Sequence, residues 1–445
     1  MKTYLDWSAY DNYGMGDAYS GIPATGGAYA KAVAVCIGSR QCQRTAKGLM
    51  CPSFRATEEF AHSTQARVQA FKAALNGELG PTPFTHPDLA EAMDLCVACK
   101  GCKKECPNGV DMALIKTEFL AQKHALTGAS PRTRLFAHLP RWLTRRRLLR
   151  ALVRLRNGQP GLAWLGERLL GITARRPLPE PAPVPFAARY SGAEESRPRV
   201  ALFVDTMSRH YAPEIPAAAV DVLTAAGYQV EVLGPAPGDP EPRRALCCGR
   251  TYLSNGLVEE ARAEARRVLA AVRPALEAGI PVVGLEPACL YALKDDFYSL
   301  ALGEDVARLA KQCYMFEEFL MREKDRRGFE LQLKPLDLPK ALLHGHCHQK
   351  AFGATKSLRK VLGWIPGFEF ELVEASCCGM GGSFGYEAEH DGMSRKMAEL
   401  SLMPAIRQAP EAPILADGFS CRHQIEDCTG RRPMHIAVLL QQALA

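Results

Sequence analysis

The sequence predicts an α+β multidomain protein, in which an N-terminal helical domain precedes two repeated α/β cysteine-rich lobes with parallel sheets. Four observations predict it. Seven of the sixteen cysteines are bunched between Cys36 and Cys106, in sequence of mostly helical pattern. Prolines 177, 179, 181, 183 and 185 then alternate in a semi-extended, polyproline-like boundary. Beyond it, short β-rich runs alternate with helical stretches, which implies parallel sheets covered on both faces. The adjacent pairs Cys247-Cys248 and Cys377-Cys378 lie 130 residues apart, and Cys289 and Cys421 lie 132 apart. That agreement implies a duplication.

Taken in order, residues 1–35 read as an N-terminal extension rich in Tyr and Gly, and 36–130 as the helical cysteine-rich domain. Residues 131–176 form a basic amphipathic helical segment, 177–198 the Pro-rich linker, 199–335 the first lobe and 336–445 the second. In the first lobe VALFV (200–204), YQVEVL (228–233) and PVVGL (281–285) read as strands, with helices at 212–227 and 257–272. In the second, ALLHGH (341–346), FEFELV (368–373) and PILADG (413–418) are strands leading to Cys347, to Cys377 with Cys378, and to Cys421. In each copy the cysteines follow strand C-termini, where open α/β sheets place their binding sites.

A chain of 445 residues, 47% hydrophobic, is long enough for more than one core. No basic n-region with an apolar core and cleavage site opens it, and no apolar stretch approaches the ~18 to 20 residues of a bilayer span. The expected location is cytoplasmic, with peripheral attachment to the inner face of the membrane left open. Disulfide scaffolds of this cysteine density belong to short secreted domains, and adjacent cysteines bond each other only through a strained eight-membered ring. Metal ligation in a reducing compartment is the better reading. The formal charge is +7; a four-thiolate 4Fe-4S cluster adds about −2, so two would bring the total to roughly +3.

The segment LCVACKGCKKECPNGVDM carries Cys96-x2-Cys99-x2-Cys102-x3-Cys106-Pro107, the spacing of bacterial ferredoxins. Three thiolates on one tight loop cap three iron corners of a cubane, and the fourth, turned away by the proline, reaches a neighbouring cluster. A zinc ribbon would instead use two separated CxxC pairs. The partner segment holds Cys36-x5-Cys42-x8-Cys51-Pro52. If Cys51 crosses over, it completes the cluster of Cys96, Cys99 and Cys102, and Cys106 joins Cys36 and Cys42. The second cluster is then one thiolate short, because Ser39 stands at the middle position. A serine oxygen, a water on an open corner and a three-iron cluster all remain open.

These motifs, together with CPSFRATEEFAHSTQARVQAFKAAL, GLEPACL, HGHCHQKA and CCGMGGSFGYE, resemble the iron-sulfur half of FAD-linked D-2-hydroxyacid dehydrogenases of the D-lactate and D-2-hydroxyglutarate type. The chain is also similar to the iron-sulfur subunits of glycolate oxidase and anaerobic glycerol-3-phosphate dehydrogenase. The similarity runs from about Cys36 to the C-terminus. It implies an electron-transfer component with one to three 4Fe-4S clusters, served by FAD on a separate dehydrogenase subunit and passing electrons to quinone or another acceptor.

The two repeats resemble the cysteine-rich domains of heterodisulfide reductase, whose motif is Cys, then Cys-Cys-Gly, then Cys-x2-Cys around a non-cubane cluster. The second repeat keeps Cys347, Cys377, Cys378 and Cys421, with Gln424 last. The first keeps Cys247, Cys248 and Cys289, with Thr206 near the first position and Ala292 at the last. Neither retains five ligands, so disulfide-reductase chemistry is the alternative and electron transfer the leading reading. The first-repeat cysteines also read as small hydrophobes packed in a core.

In HGHCHQ, alternation along an extended segment puts His344, His346 and His348 on one side, suited to tuning a cluster at Cys347 by hydrogen bonds to sulfur. Cys313 and Cys428 match no motif. GMGGSFG is no dinucleotide fingerprint, since Phe384 occupies its third glycine position. From Arg132 to Arg156 there are nine arginines and no acid, with Leu148, Leu149, Leu152 and Leu155 on one stripe. Such a helix suits an anionic membrane surface near a quinone pool or an acidic flavoprotein, or packs on its own domain by the leucines. The lack of aromatic interleaving or a reading motif argues against nucleic acid.

Overall fold

A computed structural model describes residues 1–13, 21–46, 48–187 and 196–445. The N-terminal domain is built from helices α1 (Gly27–Ala34), α2 (Pro52–Thr57), α3 (Thr64–Leu75), α4 (Pro87–Asp94), α5 (Gly101–Glu105) and α6 (Met112–Thr127). Their starts are written in the sequence. Pro52 opens α2, where a missing N–H costs nothing. Ser63 caps α3 by accepting from the Ala66 N–H, and Asp111 caps α6 by accepting from Leu114; each cap contributes about 1 kcal/mol. Tyr29, Phe71 and Phe119 meet edge to face, with ring centroids 6.2 and 6.0 Å apart, and knit α1, α3 and α6 together.

The first residues, which read as an extension, are packed into this domain. Leu5 and Trp7 are buried. The buried Glu118 carboxylate on α6 accepts from the Tyr4 N–H (2.9 Å), the Leu5 N–H (2.8 Å) and Trp7 Nε1 (3.2 Å). One amphipathic aromatic and one carboxylate far away in sequence do this, and neither creates a periodic pattern.

The basic segment folds as a chain of helices, α7 (Pro131–Ala137), α8 (Leu139–Trp142), α9 (Arg146–Gly158) and α10 (Pro160–Leu170), with a proline in the first turn of α7, α8 and α10. Of the four stripe leucines of α9, Leu149 is half-buried and the other three are turned to solvent. Leu148, Leu152 and Leu155 are 56%, 55% and 53% exposed, and Val153 is the residue turned inward. Residues 171–187 run without helix or strand for most of their length but are tied down. Ala182 and Phe186 donate to the carbonyls of His210 and Arg209 at 2.7 and 2.9 Å. Residues 188–195 of the linker lie outside the described residues.

Beyond the linker stand two parallel sheets. The first joins β1 (Arg199–Phe203), β2 (Gln229–Val232), β3 (Val282–Gly284) and β4 (Cys313–Met315) in the order β2-β1-β3-β4. The second joins β5 (Ala341–Leu343), β6 (Phe370–Leu372) and β7 (Ile414–Leu415) in the order β6-β5-β7. The central strands β1 and β5 are apolar and buried on both faces, as parallel strands under helices must be. The strand order is the same around both central strands. Strand β4, which carries Cys313, has no counterpart in the second sheet among the described residues, and its three residues lack a recognisable strand pattern.

Candidate metal centres

All sixteen cysteines are free thiols. Seven of them surround two neighbouring cavities in the N-terminal domain. The first is lined by Cys51, Cys96, Cys99 and Cys102, the second by Cys36, Cys42 and Cys106 together with Ser39. Met50 and Thr64 line both. Each proline-marked cysteine thus sits with the triplet of the other segment. Cys51 precedes Pro52 at the start of α2, and Cys106 closes α5.

The first cavity has a feature that the spacing did not reveal. Arg67, on α3, is fully buried among Val68, Phe71 and Leu75. Its Nη1 donates to Cys51 Sγ at 3.4 Å, Nη2 to Ser53 Oγ at 2.8 Å and Nε to the Ala92 carbonyl at 2.9 Å. Burial raises the Cys51 thiol, but the Arg67 charge and the Ser53 hydroxyl outweigh it and hold the thiol below its ordinary value. An arginine on the apolar face of an amphipathic helix was the available signal. Burial drives Cys99 and Cys102 the other way, well up. Four sulfurs with a guanidinium behind one of them and no carboxylate in the wall suit a thiolate-bound iron cluster.

The paired cysteines occupy matching places in the two sheets. After β1 comes Thr206, after β2 Cys247 and Cys248, after β3 Cys289; after β5 comes Cys347, after β6 Cys377 and Cys378, after β7 Cys421. The Gly249 N–H donates to Cys247 Sγ at 3.4 Å, and the Gly379 N–H to Cys377 Sγ at 3.3 Å. Both glycines are obligatory. Their φ values are +75° and +86°, and a Cβ would lie 3.0 Å from the Ala261 carbonyl oxygen and 2.2 Å from that of Ser394. Hydrogen bonds from the Cys347 and Cys378 thiols hold Cys377 well below its usual value, whereas Cys347 and Cys378 are raised. Cys99 packs in the same buried cluster as Cys377, Cys378 and Cys421, so the second repeat adjoins the first cavity.

Both repeats face one cavity of ≈ 280 Å³. Cys247, Cys248, Cys289, Cys347, Cys377 and Cys378 line it, as do Leu139, Trp142, Leu149 and Val153 from the basic helices; Cys421 does not. Of the three positions that lack the motif's cysteine, Ala292 is buried on the helix Pro287–Lys294, and the other two differ in their surroundings. Thr206 lines this cavity and hydrogen-bonds Cys247. Gln424 is turned away and fully buried, its Oε1 accepting from Arg176 Nη1 at 2.5 Å and its Nε2 donating to the Ser394 carbonyl at 3.0 Å. Arg176 completes this tie with Asp391, 2.5 Å from its Nε.

The histidines are not on an extended face. Cys347 opens a helix, Cys347–Phe352, and His346 is its cap, accepting from the His348 N–H at 3.1 Å. The Gln349 side chain, in turn, accepts from the His346 N–H at 3.0 Å, and this reciprocal cap ends the strand at Leu343. His346 and His348 line the cavity; His344 does not, and its ring nitrogens have no hydrogen-bond partner. Burial lowers all three, His346 to about 4, so the rings are neutral at pH 7. His348 Nε2 lies 3.3 Å from the carbonyl of Ala98, the residue before Cys99. Glu286 also lines the cavity, and burial together with the Asp205 charge pushes it up to about 8.

Comparison with known proteins agrees with this geometry. The family model of a 4Fe-4S dicluster domain matches residues 32–110, the span that holds all seven cysteines of the two small cavities. The C subunit of the anaerobic glycerol-3-phosphate dehydrogenase of Escherichia coli (strain K12) is 30% identical over 284 residues, covering 62% of this chain and 68% of that one. The D-2-hydroxyglutarate dehydrogenase of the same organism is 25% identical over 371 residues, 80% of this chain but 34% of its own length. Lactate utilization protein A of Bacillus licheniformis is 24% identical over 254 residues, 54% of this chain and 98% of that one. On these matches the chain is an iron-sulfur electron-transfer protein, and it belongs to the family of the C subunit of anaerobic glycerol-3-phosphate dehydrogenase.

Proposed function

We propose that the chain relays electrons from the FAD of a partner dehydrogenase, one that oxidises a 2-hydroxyacid or a related alcohol, to an acceptor at the interlobe cavity. When bound, the clusters supply one-electron exchange. The chain's residues set the order of the sites. Cys36, Cys42 and Cys106 hold the outer cluster, nearer solvent, and Cys51, Cys96, Cys99 and Cys102 the inner one. Cys347, Cys377, Cys378 and Cys421 form a further site, and Cys247, Cys248 and Cys289 face it across the cavity. The observation that carries this reading is the crossed grouping of seven cysteines about two adjacent cavities, with Cys99 packed against the paired cysteines.

In the same reading, residues 36–130 are the cluster domain, and 199–335 and 336–445 the two lobes. The acceptor is a quinone, reached where the basic helices 132–156 rest on the inner face of the membrane. The exposed leucines of α9, flanked by Arg147 and Arg154, support that placement, as does the apolar wall that α8 and α9 give the cavity. Among the described residues no helix is long and apolar enough to cross a membrane.

Anaerobic purification with iron and sulfide analysis and electron paramagnetic resonance (EPR) tests the clusters. At least four irons per chain are expected, and Cys99→Ala must remove one cluster signal while sparing the other. Fewer than four irons, or an unchanged Cys99→Ala spectrum, sinks the assignment. Sedimentation with phosphatidylglycerol vesicles tests the surface: the triple change of Leu148, Leu152 and Leu155 to Ser should abolish binding and leave the melting temperature unchanged.

A further inference from the structure

The intact cysteine loop and the altered one have the same backbone design. In the intact loop Cys99 is flanked by Ala98 (φ 48°) and Lys100 (φ 59°), both in the left-handed region. In the altered loop Ser39 is flanked by Gly38 (φ 74°) and Arg40 (φ 57°). Three of the five non-glycine residues with positive φ among the described residues therefore lie in these two loops. Such conformations are costly for a side-chain-bearing residue and mark sites where the backbone is held for a purpose. The match continues beyond the flanking residues. Lys100 precedes the helix Gly101–Glu105, Arg40 precedes the helical turn Gln41–Gln43, and in each the cysteine that closes the loop, Cys102 or Cys42, is the second helical residue.

Ser39 thus holds the loop position at which Cys99 meets the first cavity, and it lines the second cavity with Cys36, Cys42 and Cys106. We propose that Ser39 Oγ is the fourth protein ligand of the outer cluster, so that this chain holds a cluster with three thiolates and one alkoxide. The inference rests on the assignment of that cluster to Cys36, Cys42 and Cys106. Two other oxygen donors line the cavity. Gln65 Oε1 already accepts from Gln43 Nε2 at 2.8 Å, and Thr64 opens α3 in the wall common to both cavities, outside the capping loop. Ser39 is exposed, so water reaches its hydroxyl.

Ligation is not a redox step. The Ser39 hydroxyl gives its proton to solvent as the Oγ–iron bond forms, and a water or hydroxide leaves that iron. An alkoxide is a harder donor than a thiolate and favours the ferric state, so the outer cluster has a lower reduction potential than its all-cysteine counterpart.

The test uses the full chain, purified anaerobically, as wild type, Ser39→Cys, Ser39→Ala, Cys42→Ala and Thr64→Val. It is read by iron analysis, Mössbauer and EPR spectroscopy, and potentiometric titration. Expected are eight irons in the two N-terminal clusters of the wild type, and a positive shift of one midpoint potential in Ser39→Cys with the other unchanged. Ser39→Ala should lose one iron and show a three-iron signal on oxidation. Thr64→Val should match the wild type. A Ser39→Ala protein with wild-type iron, spectrum and potentials overturns the proposal, as does a three-iron cluster in the wild type or loss of the fourth iron in Thr64→Val. If Cys42→Ala leaves every cluster signal intact, the underlying assignment fails instead.

Discussion

Arg67 shows how much one residue contributes to a site whose ligands are all elsewhere. Its guanidinium donates to Cys51 Sγ, and its other two hydrogen bonds fix Ser53 and the end of α4. Positive charge and N–H donors at a ligand sulfur stabilise the more negative, reduced state of a cluster. Arg67→Ala should therefore shift one midpoint potential negative in a potentiometric titration, and Arg67→Lys should shift it less. The alanine variant should also lose about 2 kcal/mol of stability, from the cavity and the stranded carbonyl.

His390 contributes differently. Its Nε2 lies 2.9 Å from Asp94 on α4 and its Nδ1 2.8 Å from Glu387, which joins the cluster domain to the second lobe. Burial lowers the imidazole, but the two carboxylates outweigh it and raise it to about 9. A histidine raised on folding stabilises fully below its unfolded value of about 6.5, and the gain disappears as pH passes the folded value. Urea denaturation should show stability falling between about pH 6.5 and pH 9, and His390→Gln should flatten that slope.

At the scale of elements, the cluster loop is fastened to the first lobe by buried charge. Lys100 is fully buried; its Nζ lies 2.5 Å from Asp296 Oδ1 and also pairs with Asp295, with Asp111 at 3.6 Å. Lys103 bridges Asp111 and Asp295 from the other side, at 3.0 and 2.5 Å. Removing one partner of such a network leaves charge buried without compensation. Lys100→Met should cost about 3 kcal/mol, seen as a lower urea midpoint, with Lys103 and Arg250 limiting the loss. This network was not legible beforehand, because CKGCKKEC gives no reason to single out one lysine.

The strands were more legible. The apolar runs that became β1, β3 and β5 are short, rich in Val and Leu, and bounded by Gly or Pro, which suffices to recognise buried parallel strands. The pattern failed where hydrogen bonds override it. In HGHCHQ the run past Leu343 looked extended, yet the His346–Gln349 cap turns it into a helix. On α9 three of the four stripe leucines, Leu148, Leu152 and Leu155, point to solvent, as on a helix that docks on a surface, while Leu149 is half-buried and Val153 is buried.

At the scale of the molecule, the parts share their cores. One apolar cluster runs from Phe71 and Phe119 in the cluster domain to Tyr252, Val268 and Leu290 in the first lobe. Another joins Val200 and Phe319 of the first lobe to Leu343 and Leu439 of the second. The spacing of the cysteines anticipates which of them line each small cavity; the shared cores were not readable, because they depend on faces that no local pattern pairs. Removal of the clusters by chelation and oxidation should therefore act unevenly. Hydrogen exchange should quicken most across residues 36–110, whose loops close on the two cavities. The amides of β1, β3 and β5 should remain slow, held by the parallel ladders of the two sheets.

The tie between Gln424 and Arg176 has a consequence for how such a site can change. A cysteine restored at 424 would recover the missing sulfur but leave a buried guanidinium and the Ser394 carbonyl each one partner short, in a place water does not reach. Position 424 is thus locked by its neighbours. Any route back to the five-sulfur arrangement must either pass through a less stable protein or first release Arg176 from its pocket.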